Sequence, residues 1–253
     1  MSVIKISNLH KAYDSKSVLR GIDLTVEAGQ IIGYIGPNGA GKSTTIRILA
    51  GLDKGFTGEV EVLGYNVREE PLEVKKCIGY IPEAAEIYEM LTPKEFYELV
   101  GGLQGLPWDT TKKRASRLQE YLDLRYSPDQ RIDTFSKGMK QKVLLISGLL
   151  HDPDLIFLDE PLAGLDANSV IRVKDLLQQL TERGKTIFYS SHIMEVVEKI
   201  SDRIILLNDG KIAANGTFAE INAQVQGGSL ETLFSQLTGG SAARTDFDFT
   251  ADE

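Results

Sequence analysis

Gly36, Gly39, Gly41, Lys42 and Ser43 stand in the spacing Gly-x4-Gly-Lys-Ser, behind a short apolar run (31–35) and ahead of a helix-compatible segment that ends at Gly51. This pattern of residues holds phosphate. Glycines let the backbone take positive φ and come close to an anion, so that successive N–H groups point inward at it, and the helix beginning near Gly41 adds the positive end of its dipole. The candidate binding loop is therefore Gly36-Pro37-Asn38-Gly39-Ala40-Gly41-Lys42-Ser43-Thr44. Lys42 carries a compact charge that can reach the β and γ phosphates of a nucleotide, and the Ser43 hydroxyl is placed to ligate a magnesium ion bridging them. A plain glycine turn between strand and helix is the bland alternative, and spacing and context together weigh against it.

A second cluster follows the all-apolar run 155–158, which suits a strand buried on both faces of a parallel sheet. The run ends in Asp159-Glu160. Acids at the carboxyl end of such a strand lie where open α/β sheets bind ligands. There an aspartate can hold magnesium and a glutamate can orient or deprotonate a water for attack on the γ phosphate. His192 comes just after another apolar run, 186–190, and its place at the same sheet edge favours the site over a structural role. Ser136 is a good N-cap for the segment from Lys137 onward, and by itself reads as just that. Tyr13, near the strands that lead into the loop, could stack on a base or could be a strand-end aromatic.

These residues need elements to position them. Residues 3–9 and 18–26 alternate apolar and polar as two strands, with Tyr13 between them. After the loop helix come a strand at 59–64, a helix at 70–76 and a strand at 77–81 stopped by Pro82, which leaves Glu83 in a loop. Residues 93–126 read as mainly helical, and 143–150 as an apolar helix; together they form a helical insertion at about 84–150. Helix 168–182, strand 186–190, helix 193–200 and strands 204–207 and 211–214 around Asn208-Asp209-Gly210 complete the core. One more helix fits 229–238, and the acidic end, 239–253, is expected to be disordered.

Composition sets bounds on this reading. One cysteine, Cys77, allows no internal disulfide, and three histidines scattered at 10, 151 and 192 make no metal cluster, so a reducing compartment fits. The start lacks the features of a secretory signal, and no apolar run approaches the roughly 20 residues that span a bilayer. Any membrane span must then come from another chain, and the expectation is a cytoplasmic protein. A net charge of −8 argues against a chain that neutralises many nucleic-acid phosphates.

In this order the motifs resemble the ATP-binding subunit of ABC transporters, over about residues 3–238: the phosphate loop, Glu83 at the glutamine-loop position, the signature region 135–139, the run 155–160, the loop 163–166 and His192. The resemblance implies an α/β fold with a P-loop NTPase (RecA-like) core, an N-terminal antiparallel β subdomain and a helical insertion subdomain. It also implies ATP and Mg2+ as cofactors and a head-to-tail dimer, each ATP held between the loop of one subunit and the signature helix of the other. Tyr13 would stack on adenine, Ser43 and Asp159 would hold magnesium with Glu83 as a further ligand, Glu160 would be the general base, and His192 would contact the γ phosphate. From the partner, Ser136 and the Gly138 N–H would bind the γ phosphate, and Asp166 would cross the interface. Closure and opening would drive a membrane permease, which places the subunit on the inner face of the cell membrane.

Two departures stand out. The family's Leu-Ser-Gly-Gly-Gln reads Phe135-Ser136-Lys137-Gly138-Met139, and Glu83 replaces the glutamine. The Ser-Lys-Gly-Met signature, Pro82-Glu83 and the segment 230–234 resemble the branch serving exporters. A soluble ABC-type ATPase acting on a protein assembly or nucleic acid is the other reading, though such relatives carry a long coiled coil or two ATPase units, which this sequence lacks.

Overall fold

A computed structural model describes residues 1–83, 87–191, 194–225 and 230–237. Two sheets organise them. In the first, β1 (Ser2–Tyr13), β2 (Lys16–Glu27), β4 (Thr57–Val62) and β5 (Tyr65–Asn66) pair antiparallel in the order β2-β1-β4-β5. The second has the order β10-β9-β3-β8-β7-β6. Its members are β3 (Ile31–Ile35), β6 (Ile78–Ile81), β7 (Leu155–Asp159), β8 (Thr186–Ser190), β9 (Arg203–Asn208) and β10 (Lys211–Gly216). All its pairings are parallel except the closing hairpin β9–β10.

The pleat explains why the parallel strands are continuous apolar runs. Alternate residues point to opposite faces. Ile32, Tyr34, Phe157, Phe188, Ile205 and Leu207 join a core shared with Ile4, Leu9 and Ile22 of the first sheet and with Ile46 and Leu49 of α1 (Lys42–Leu49). Ile31, Ile35, Ile156, Leu158, Ile187 and Tyr189 join a second core. There they meet α5 (Lys137–Leu149), α6 (Ala167–Glu182) and α7 (Met194–Ile200) through Val143, Ile146, Val173, Leu177 and Val197. Each fully buried Ile, Leu or Phe contributes about 1.5–3 kcal/mol, so two-sided burial fixes the strand ends far more firmly than any single polar contact could.

Helix α2 (Pro71–Cys77) leads into β6, and α3 (Pro93–Leu103) and α4 (Trp108–Tyr121) precede α5. Several helices start where side chains offer caps. Thr92 and Glu95 form a reciprocal capping box at α3, with Pro93 in its first turn. The Ser136 hydroxyl accepts the Met139 N–H at 3.2 Å, and the Asp166 carboxylate accepts the Ser169 N–H at 3.0 Å, opening α5 and α6.

The sequence expectations need four corrections. β1 and β2 run on to a tight turn at Asp14 (φ 50°), so Tyr13 ends β1 rather than lying between strands. β4 stops at Val62, because Leu63 (φ 51°) and Gly64 (φ 86°) turn the chain into β5. Cys77 closes α2 instead of opening β6. Helix α8 (Phe218–Val225) was not anticipated, although a capping box announces it: Glu220 N–H donates to the Thr217 hydroxyl and Thr217 N–H to the Glu220 carboxylate. The last helix, α9, spans Leu230–Leu237. The acidic stretch 239–253 lies outside the described residues, as do 84–86, where the expected helical insertion would begin. Among the described residues, no helix is long and apolar enough to cross a membrane.

Candidate functional site

Parallel pairing brings the carboxyl ends of β3, β6, β7 and β8 to one sheet edge, and the segments that leave those ends carry most of the candidate residues. They surround a cleft of about 840 Å³. The binding loop lines it with Asn38, Gly39, Gly41, Lys42, Ser43 and Thr44, facing Glu83, Asp159 and Glu160. Gly39 (φ 80°) and Gly41 (φ 111°) take the left-handed conformation expected of them. Gly36 does not. Its reason to be glycine is space, since a Cβ there would lie 2.3 Å from the Leu207 carbonyl oxygen of β9. Gly36 and Ala40 are buried beneath the loop, and Pro37 is half-buried.

Helix α1 opens at Gly41 without a side-chain cap, so its first N–H groups have no side-chain acceptor and suit an anion. The Lys42 ammonium, 8% exposed, donates to the Gly36 carbonyl at 2.8 Å and to the Pro37 carbonyl at 3.3 Å. Burial lowers its pKa, and the negative charges of Glu160, Asp159 and Glu83 pull the other way. That balance places all three carboxylates within electrostatic reach of one ammonium.

Asp159 and Glu160 are both buried. Asp159 faces Ser190 across the β7–β8 register, and the Ser190 hydroxyl donates to Asp159 Oδ1 at 2.5 Å. This bond fixes the carboxylate and occupies one of its oxygens. With the exposed Ser43 hydroxyl and Glu83, it offers hard oxygen donors of the kind magnesium takes. Glu160 adopts φ 49°, a left-handed conformation that costs a non-glycine residue about 1–3 kcal/mol and is concentrated at functional sites. Its N–H donates to the Ser190 carbonyl at 3.2 Å, so the chain turns sharply at the strand's end without leaving that donor unsatisfied.

Tyr13, Asp14, Lys16 and Val18 complete the lining of the cleft. Tyr13 is 44% exposed and its hydroxyl donates to Asp53 at 2.7 Å. Asp14, Lys16 and Val18 were not singled out from sequence; the turn directly after Tyr13 was the available signal. Ser190 was missed too, although Ser190-Ser191 ends an apolar strand beside His192. His192 lies outside the described residues.

Ser136, Gly138 and Asp166 do not line this cleft. They belong to a second patch, where the start of α5 meets the loop 163–166. A Cβ on Gly138 would lie 2.8 Å from the Gly164 carbonyl oxygen, so glycine is what lets the helix approach the loop. Ser136 and Asp166 are both exposed there.

Comparisons with known proteins agree with this geometry. The family model described as "ABC transporter" matches residues 19–163, more than half of the chain. The linearmycin resistance ATP-binding protein LnrL of Bacillus subtilis (strain 168) is 36% identical over 231 residues, covering 91% of this chain and 74% of its own. A solved structure of an ATP-binding subunit of an ABC transporter superposes with a TM-score of 0.87 at 32% identity, covering 93% of this chain and 99% of that one. A dimeric ATP-binding cassette, MJ0796, solved in a post-hydrolysis state with ADP and Pi, superposes with a TM-score of 0.79 at 26% identity, covering 85% and 98%.

Proposed function

Because the chain belongs to the ABC transporter family, as an ATP-binding subunit that hydrolyses ATP to power a separate membrane permease, we propose that it serves an exporter and works as half of a head-to-tail pair of such subunits. The observation that carries this reading is the division of the candidate residues into two patches, a cleft with the binding loop and acids, and the exposed Ser136–Asp166 patch outside its lining. Ser136 and Asp166 cap α5 and α6 within their own chain, but from an exposed patch outside the cleft they can serve a nucleotide only if another subunit holds it. The dimeric cassette MJ0796 supports pairing, and similarity to the resistance protein LnrL, together with this chain's own Ser136-Lys137-Gly138-Met139, supports export.

On this reading Tyr13 stacks on adenine, and the loop N–H groups with Lys42 hold the β and γ phosphates. Ser43, Asp159 and Glu83 would hold magnesium, which would supply positive charge to offset that of those phosphates. Glu160 takes a proton from water as the water oxygen attacks the γ phosphorus, and ADP leaves as the bond to its β-phosphate oxygen breaks. The partner's Ser136 hydroxyl and Gly138 N–H complete the γ-phosphate site, Asp166 crosses the interface, and His192 contacts the γ phosphate. The chain then acts at the inner face of the cell membrane through its permease.

The experiment is to tag Glu160→Gln, load it with ATP in its own cells, solubilise gently and identify what co-purifies. A multi-spanning membrane protein at stoichiometric yield is the expected result; only soluble proteins or nucleic acid would overturn the transporter pairing. The dimer has its own test. Ser136→Arg removes a cap worth about 1 kcal/mol, too little to unfold a domain, and its long side chain projects from an exposed position. In a Glu160→Gln background it is expected to abolish the ATP-driven dimer in sizing chromatography while the monomer still binds ATP. Persistence of the dimer would remove Ser136 from the interface.

A further inference from the structure

Beneath the Tyr13 ring lies a charged pair that the phosphate chemistry does not use. Lys11, two residues before Tyr13 on β1, is 7% exposed and does not line the cleft. Its ammonium lies 2.7 Å from Asp53 Oδ1, 2.8 Å from the Gly55 carbonyl and 4.4 Å from the Tyr13 ring centroid. Asp53 uses its other oxygen, Oδ2, to accept the Tyr13 hydroxyl at 2.7 Å, and Oδ1 also accepts the Gly55 N–H at 3.0 Å. The aspartate is itself anchored to the binding-loop helix, since its N–H donates to the Arg47 carbonyl of α1 at 3.3 Å.

We propose that Asp53 and Lys11 are positioning residues for base recognition: Asp53 fixes the plane of the Tyr13 ring through its hydroxyl, and Lys11 occupies the ring's buried side, leaving the cleft side for a purine. The proposal rests on Tyr13 being the base platform and extends it. A lysine ammonium beside a phenol ring is held by the ring's negative face. An aromatic side chain free to turn about its χ angles loses entropy when a base stacks on it; a ring already held loses less, so the base binds more tightly. Burial, and after it the Asp53 contact, raise the Tyr13 pKa, so the phenol remains a donor to Asp53 over the physiological range. Because Asp53 is tied to α1, the base subsite and the phosphate loop are held by one helix.

The test measures Kd for ATP and for inorganic triphosphate, which has no base, with Tyr13→Phe, Asp53→Ala, their double variant and Tyr13→Ala. Tyr13→Phe and Asp53→Ala are each expected to weaken ATP about three- to tenfold, the scale of one hydrogen bond, with triphosphate affinity unchanged. The double variant is expected to bind ATP no worse than Asp53→Ala alone, because Asp53→Ala already removes the hydroxyl's contact together with those to Lys11 and the Gly55 N–H. Tyr13→Ala should weaken ATP about tenfold or more, the scale of base stacking. If only Tyr13→Ala weakens ATP, the platform stands and the positioning role is overturned. If Tyr13→Ala also binds ATP like the parent, the platform reading itself fails. If ATP and triphosphate weaken in parallel in Asp53→Ala, Asp53 acts on the phosphate loop and the proposal is overturned.

Discussion

Glu160→Gln is expected to bind ATP as the parent does and to lose turnover by roughly 10²–10⁴-fold, the range attributed to a positioned acid or base. Glutamine keeps the length and shape of glutamate but accepts no proton at neutral pH. It is no worse suited than glutamate to the left-handed backbone at φ 49°, so the turn that ends β7 should survive. The buried Asp159 and its bond from Ser190 should survive with it. Phosphate release and calorimetric ATP binding, measured side by side, separate the two effects. Normal hydrolysis by the variant would take the general-base role from Glu160; loss of binding would show that the carboxylate supports the loop instead.

Lys42→Ala is expected to weaken ATP by roughly ten- to more than a hundredfold, since a charge-assisted contact is worth about 1.5–3 kcal/mol and each 1.4 kcal/mol is a factor of ten. The ammonium is buried and already bonded to the Gly36 and Pro37 carbonyls, so it is held in place and needs little ordering when phosphate arrives. Removing it also takes away the positive charge on which Glu160, Asp159 and Glu83 act, which makes the cleft more repellent to a polyanion. The ATP-dependent rise in Tm should therefore vanish at concentrations that saturate the parent. An unchanged ATP affinity would contradict the assigned contact.

Residues whose role is local were legible in the sequence. The binding loop could be read because its spacing constrains a few consecutive residues, and the start of α5 because Ser136 is a cap. The parallel strands could be read because two-sided burial leaves an unbroken apolar run. What depended on distant pairing could not. Nothing near Asp53 in sequence says that it will hold Tyr13, 40 residues earlier, and nothing near Ser190 says that it will face Asp159. Gly36 shows a subtler limit: its residue type was anticipated but for the wrong reason, because sequence does not distinguish a glycine needed for its φ from one needed to let β9 pass. Helix α8 does carry a local signal, the reciprocal Thr217–Glu220 cap.

The strand order of the parallel sheet has a consequence for how the chain is made. β3 leads directly into the binding loop, yet its two neighbours in the sheet are β8 and β9, with Ile31 paired to Ile187 and Ile32 to Arg203. On a ribosome adding about 5–20 residues per second, those partners follow β3 on the order of ten seconds later. Throughout that interval an entirely apolar strand has neither edge covered, and closing so long a stretch of chain is intrinsically slow. The nucleotide loop is thus translated early and assembled late, and the nascent chain carries an apolar strand unpaired until most of the molecule has been synthesised.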